Sequence, residues 1–170
     1  MLAYKKALRD AGVDVPVSYG QDTRGRHITD FVPGSRAMDS FRLSLSELSK
    51  IGRLVRAIHD ASASYEPTAK SSWIPLILTP NADLICHNDL APWNLIIGER
   101  WVFIDWDAAA PSTRLWDLAY AAQTFTLNDA SAVPNEAARA LAAFIDGYDA
   151  DKELRALLPA AIGTERPPTW

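Results

Sequence analysis

Residues 87–94 read HNDLAPWN and residues 104–107 read IDWD, and between and before them lie the apolar runs LIC (84–86), LII (95–97) and WVF (101–103). Asp89, Asn94, Asp105 and Asp107 therefore sit among strand-forming residues. A carboxylate in such surroundings is costly unless it is paired, hydrogen-bonded or bound to a cation, so three acids and an amide at this spacing point to a site. The segment GER (98–100) between LII and WVFI supplies a turn, which predicts a β-hairpin. Wherever a two- or three-residue turn is centred within Gly98 to Arg100, Asn94 faces Asp105 to within about one or two positions. An amide carbonyl and a carboxylate are hard oxygen donors of the kind Mg²⁺ takes while keeping several waters and adding phosphate oxygens. Asp89, in the loop that enters the hairpin, reaches the same cleft from the side opposite a metal-bound phosphate and is left free to act as a base.

Working outward, LAYKKALRDAG at the start has loosely helical apolar spacing and stops at Gly12, which predicts a short helix. Residues 13–34 alternate in short pieces around QDTRG, predicting two antiparallel strands followed by a Pro-Gly break. Ser44 to Glu47 fits the capping box S-x-x-E, and Leu45, Leu48, Ile51, Leu54, Val55 and Ile58 recur every three or four residues, predicting a helix that ends near Ala61. Residues 62–81 hold three prolines and many small polar residues and predict a long irregular connection. Three more helical patterns follow, at 115–127, 135–149 and 151–163, before a loose tail.

The totals narrow the function classes. The 170 residues, 48% of them hydrophobic, suffice for one sizeable core, and the formal net charge of −4 carries no basic cluster of the kind that grips a nucleic-acid backbone. No run approaches the roughly 18 apolar residues of a membrane span. The single Cys86, read as a core thiol, and the lack of a signal segment or N-x-S/T acceptor suggest a reducing cytoplasm. His27, His59 and His87 show no zinc spacing. Trp93, Trp101, Trp106 and Trp116 suit packing, with Trp93 and Trp106 the candidates for facing the cleft. The acids Asp146, Asp149, Asp151 and Glu153 read as a solvated face.

His87, Asp89, Leu90 and Asn94, followed by Asp105, resemble the protein-kinase catalytic loop H-R-D-L-x-x-x-N with its metal-binding aspartate. Asn88 in place of the arginine, D-W-D at 105–107 in place of D-F-G, and LWDLAYAA at 115–122 make the segment similar to the aminoglycoside phosphotransferase and choline kinase family. The resemblance implies an α+β, protein-kinase-like fold, mostly the helical C-terminal lobe with a catalytic β-hairpin. It divides the chain into residues 1–34, a remnant of the N-terminal lobe with a hinge, and residues 35–170, the helical catalytic lobe.

The resemblance also implies roles. Asp89 orients or deprotonates the acceptor hydroxyl, His87 braces the loop as part of the catalytic unit, and Asn94 and Asp105 hold Mg²⁺ against the phosphates of ATP or GTP. Asp117 caps the loop, and Phe31 and Val32, within the segment Asp30 to Pro33, bind the adenine. Asp107 has three readings: it approaches the metal, it approaches the acceptor, or it caps the following turn. The partners implied are a nucleotide and a small-molecule hydroxyl acceptor, aminoglycoside-like or an amino alcohol, with no nucleic-acid polymer and no membrane.

The Gly-rich loop and strand-borne lysine of such kinases are not found: Lys5 and Lys6 lie in the first helix, and GQDTRGRH (20–27) has P-loop glycine spacing but reads as a hairpin turn. The resemblance therefore implies a truncated N-terminal lobe with low or absent activity, the chain being either a fragment of a complete kinase or a shortened relative whose cut face is covered by itself or by a partner, a homo-oligomer being one way to cover it. Two rivals remain: a non-catalytic binding or interaction protein derived from this family, and a metal-dependent phosphohydrolase.

Overall fold

The structure, a computed structural model, describes residues 1–40, 42–67, 73 and 79–162. It is an α+β chain with the elements α1 (Leu2–Asp10), β1 (Ser18–Gln21), β2 (His27–Thr29), β3 (Ser35–Arg36), α2 (Leu45–Ala63), β4 (Leu84–Cys86), β5 (Leu95–Ile97), β6 (Trp101–Phe103), β7 (Ala110–Ser112), α3 (Arg114–Thr126), α4 (Pro134–Tyr148) and α5 (Lys152–Ile162). The helices fall where the apolar periodicity put them. At the start of α2 the Ser44 hydroxyl accepts from the Glu47 N–H while the Glu47 carboxylate accepts from the Ser44 N–H, so two otherwise orphaned donors are satisfied. Helix α5 continues through Pro159. The predicted connection over residues 62–81 lies largely outside the described residues, as does the tail; its first residues, Ser62 and Ala63, complete α2.

The strands form three small sheets. β1 and β2 make the predicted antiparallel hairpin, whose turn is held by Asp22 Oδ1 accepting from the N–H groups of Arg24 (2.8 Å) and Arg26 (2.9 Å), so the P-loop-like glycines serve a turn. β5 and β6 form the predicted hairpin with Leu95 opposite Phe103 and Ile97 opposite Trp101. Two pairings were not expected. The short β3 joins β5, and β4 pairs with β7, Cys86 opposite Ala110. Both added strands are of two or three residues, too short to carry a periodic signal.

One main core runs through the molecule, joining Tyr4 and Leu8 of α1 to Ile51 and Val55 of α2, Leu90 and Leu95 beside the hairpin, Leu118 of α3 and Phe144 of α4. The closest packing is between α2 and α4. A Cβ on Gly52 would collide with the Phe144 carbonyl oxygen, and one on Gly147 with the Ser49 carbonyl oxygen, so these glycines let the two backbones touch. Cys86 is fully buried, and burial pushes its thiol pKa upward, as expected of a core thiol. Asp146, Asp149, Asp151 and Glu153 are exposed. Among the described residues no helix is long and apolar enough to cross a membrane.

Candidate functional site

The loop 87–94 is fixed by hydrogen bonds that reach both the hairpin and the helices. His87 is fully buried; its Nε2–H donates to the Ile104 carbonyl (3.1 Å) and its Nδ1 accepts the Asp89 N–H (3.3 Å). Those two partners define the neutral tautomer, and burial holds the His87 pKa below its ordinary value, with the Asp117 charge opposing. The ring lies 4.5 Å from that of Trp106. His87 thus braces the loop, as expected, from a position without solvent access.

Asn88 adopts a left-handed backbone (φ 64°), which Asn tolerates better than most residues. Its N–H donates to Asp117 Oδ1 (2.9 Å), and its side-chain amide donates to the carbonyls of Ala108 and Ala110 (both 3.2 Å). Asp117 caps the loop as the sequence implied. Its other oxygen accepts from His59 Nε2 (3.0 Å), and His59 Nδ1 accepts from the Tyr148 hydroxyl (2.8 Å). This buried chain ties α2, α3 and α4 to the loop. His59, Cys86 and Asp117 place ligand atoms within 4.8 Å of one another. Each already has a protein partner, the Cys86 thiol facing the Thr113 carbonyl at 3.6 Å, so the cluster reads as structural.

Asp89 is less free than the sequence suggested. Its Oδ1 accepts from the Tyr120 hydroxyl (2.6 Å), and its Oδ2 accepts from Asn94 Nδ2 (2.7 Å) and Trp93 Nε1 (3.4 Å). The carboxylate is held in one orientation by residues four, five and 31 positions away in the chain. Asn94 touches Asp89 directly, a contact that the sequence reading did not include. Asn94 Nδ2 also donates to the Asp89 carbonyl (3.0 Å), so the amide nitrogen is committed and the amide oxygen is the atom left for a ligand.

Asp105 follows the strand end. The Ile104 N–H donates to the Asn94 carbonyl (2.8 Å), which puts Asp105 one residue beyond the position facing Asn94, within the offset expected of the hairpin. Its backbone is left-handed (φ 58°, ψ 66°), a conformation that turns the chain out of β6, and the carboxylate is exposed. It borders a cavity of about 370 Å³ lined also by Lys5, His27, Phe31, Val32, Ile104, Trp106 and Asp107. The segment expected to meet the adenine thus shares a cavity with Asp105, whereas Asp89 and Asn94 are outside its lining. Phe31 is 84% exposed and Val32 is buried at 7%. Trp93 is half-buried against Asp89, while Trp106 is mainly a core residue, its indole N–H donating to the Phe103 carbonyl (2.9 Å). Asp107 is 81% exposed in its side chain and meets His27 at 3.8 Å.

The donor set suits a divalent ion of the magnesium type: the amide oxygen of Asn94 and the carboxylate of Asp105 are both hard oxygens, with the His27 imidazole on the same cavity wall. Three residues escaped the sequence reading. Tyr120 and His59 enter through helix packing across dozens of residues, with no local signal beyond the motif LWDLAYAA for Tyr120. Lys5 was set aside because it is helical, yet it is 5% exposed and reaches the cavity.

Residues 73–158 match the model of the phosphotransferase enzyme family. The chain is 32% identical over 110 residues to the trifolitoxin immunity protein of Rhizobium leguminosarum bv. trifolii, covering 62% of this chain and 42% of that protein's length. Among solved structures it is similar to an amicoumacin kinase determined with AMP-PNP and Ca²⁺, at a TM-score of 0.72 and 12% identity, covering 95% of this chain and 65% of the kinase. A microcompartment-associated aminopropanol kinase gives a TM-score of 0.69 at 17% identity, over 95% of this chain and 68% of the other. These likenesses establish the protein-kinase-like fold. With the HNDLAPWN loop and the IDWD hairpin inside a match that spans about half of its residues, the chain belongs to the phosphotransferase enzyme family.

Proposed function

We propose that the chain is a phosphotransferase that moves the terminal phosphate of ATP or GTP to a hydroxyl of a small molecule, aminoglycoside-like or an amino alcohol. The observation that carries this reading is the direct bond between Asp89 and Asn94 on a loop whose next hairpin strand ends at Asp105. In this reading Asn94 and Asp105 hold Mg²⁺, which when bound neutralises charge on the phosphate oxygens. Phosphoryl transfer asks mainly for positioning and charge neutralisation. Asp89 supplies the positioning: a carboxylate has about four lone-pair sites, and with Oδ2 accepting two N–H donors, the open site is on Oδ1 beside the Tyr120 hydroxyl. The acceptor hydroxyl donates there and passes its proton to Asp89 as the new O–P bond forms and the bond from the terminal phosphorus to the bridging oxygen breaks, releasing ADP or GDP. Phe31 and Val32 face the base of the nucleotide. In this reading residues 1–34 are a remnant of the N-terminal lobe with its hinge and residues 35–170 the helical lobe that bears the acids.

The chain spans 42% of the length of its immunity-protein relative and 65% of the amicoumacin kinase, so activity and substrate are parts of the proposal. Exposed Tyr19 on β1 and Ile28 on β2 favour a second copy covering that face, and sedimentation as a compact monomer at all concentrations would remove that part.

A second reading, a non-catalytic binding protein, is favoured by the relative named for immunity to trifolitoxin. Mg²⁺-ATP thermal shift separates the two. A rise in melting temperature that disappears in Asp105→Ala, together with acceptor-dependent release of ADP, supports the enzyme. No rise in the wild type leaves the binding protein, and phosphate release without any acceptor indicates hydrolysis.

A further inference from the structure

Lys5 is placed on α1 between Tyr4 and Leu8, with Tyr4 and Leu8 fully buried in the main core. Tyr4 is further pinned by its hydroxyl, which donates to the Ile85 carbonyl (2.8 Å). The base of the Lys5 side chain is therefore rigid. The residue is 5% exposed, it lines the cavity that Asp105 borders, and among the described residues its ammonium has no hydrogen-bond or ion-pair partner. A buried cation without a counter-charge is destabilising.

The acids that share the cavity wall with Lys5 form no ion pair with it among the described residues. Asp30 accepts from the Val17 N–H (2.6 Å) and from Arg100 (3.0 Å), and Asp107 meets His27. Burial and the Arg9 charge hold the ammonium pKa below its ordinary value, with Asp30 and Asp107 opposing. What Lys5 lacks, among the described residues, is an anion within ion-pair distance of its ammonium, although Asp30, Asp105 and Asp107 line the same cavity.

We propose that Lys5 anchors the polyphosphate of the bound nucleotide, its ammonium donating to non-bridging phosphate oxygens in the cavity shared with Asp105. This rests on the nucleotide reading of the site. A helical lysine then supplies the cation on one side of the phosphates, facing the divalent ion assigned to Asn94 and Asp105 on the other. Charge-assisted bonds of this type are about twice as strong as neutral ones.

The test is equilibrium binding of ADP and of adenosine to the full chain in Mg²⁺, read by tryptophan fluorescence, since Trp106 lines the cavity. Lys5→Met keeps the stem and removes the charge. It is expected to weaken ADP roughly 10- to 100-fold and to leave adenosine within about twofold, while Lys5→Arg retains most of the ADP affinity. A second measurement needs no variant: reductive methylation of the wild type mapped by peptide mass, with Lys6, exposed and paired with Asp10, as internal control. ADP and pyrophosphate, but not adenosine, should slow methylation of Lys5 relative to Lys6. If folded Lys5→Met binds ADP as the wild type does, or ADP leaves Lys5 methylation unchanged, the assignment of Lys5 is overturned while the nucleotide reading stands. If the wild type binds neither ADP nor adenosine, the nucleotide reading fails first and the assignment falls with it.

Discussion

The loop 87–94 and the cavity beside Asp105 share the backbone of Ile104, whose N–H and carbonyl are bonded to Asn94 and His87 while the residue itself lines the cavity. They are built on opposite electrostatic plans. In the loop, His87, Asn88, Asp89 and Asn94, together with Asp117 that caps it from α3, find partners within the chain. In the cavity, Lys5 has no partner among the described residues and Asp105 is exposed. The contrast teaches where ligand chemistry is to be expected. Groups that satisfy one another hold geometry and keep only an open oxygen position on Asp89 and on Asn94, whereas Lys5 and Asp105 at the cavity wall keep their full charge for whatever enters.

The largest expected effect is therefore on the satisfied side and on stability. Asp117→Ala orphans the Asn88 N–H and the buried His59 Nε2–H together, and urea unfolding should show a loss of about 3 kcal/mol or more. An unchanged midpoint would mean that the loop is not held from α3.

His87 gives the next effect, through pH. Its folded pKa lies below the unfolded value of about 6.5, because burial disfavours the charged ring. The unfolded chain then binds more protons, so the contribution is fully present above pH ~6.5 and is lost as pH falls from there toward the folded pKa. Stability should drop between pH 7 and pH 5, and His87→Gln should flatten that slope at the cost of lower stability at pH 7. Equal slopes in the two proteins would remove His87 as the cause.

Tyr120→Phe tests whether the wiring serves chemistry as well as shape. It deletes the donor at Asp89 Oδ1, and phosphate transfer to an acceptor should slow by roughly tenfold while nucleotide affinity holds, with a stability loss of about 1 kcal/mol. The smallest effect is expected at Asp107, whose side chain is 81% exposed and touches only His27 at 3.8 Å among the contacts of the described residues. Asp107→Asn should leave the melting temperature unchanged, and a loss of nucleotide binding in this variant would move Asp107 into the site.

What was legible in the sequence follows the same division. HNDLAPWN and IDWD could be placed because their geometry is local: a short hairpin fixes the register of Asn94 against Ile104 and Asp105, and the capping box fixes the start of α2. The Asp89–Asn94 bond was not foreseen, although the two are five residues apart, because Pro92–Asn94 forms a turn of 3₁₀ helix too short to leave a periodic signal. Tyr120, His59 and Lys5 were invisible for a different reason. Each reaches the site from a helix whose rotation is set by the shared core, and a lysine on an amphipathic helix looks solvated until its neighbours Tyr4 and Leu8 are seen to be buried. The pairings of β3 with β5 and β4 with β7 depend likewise on contacts distant in the chain.

The central claim is that Asn94 and Asp105 share one divalent ion beside the nucleotide. Mn²⁺ titrated into the protein with ADP present, and followed by electron paramagnetic resonance, tests it most directly. The account predicts a tightly bound Mn²⁺ in the wild type whose affinity falls in both Asn94→Ala and Asp105→Ala, with the fold retained in each. Unchanged Mn²⁺ binding in the two folded variants would contradict it.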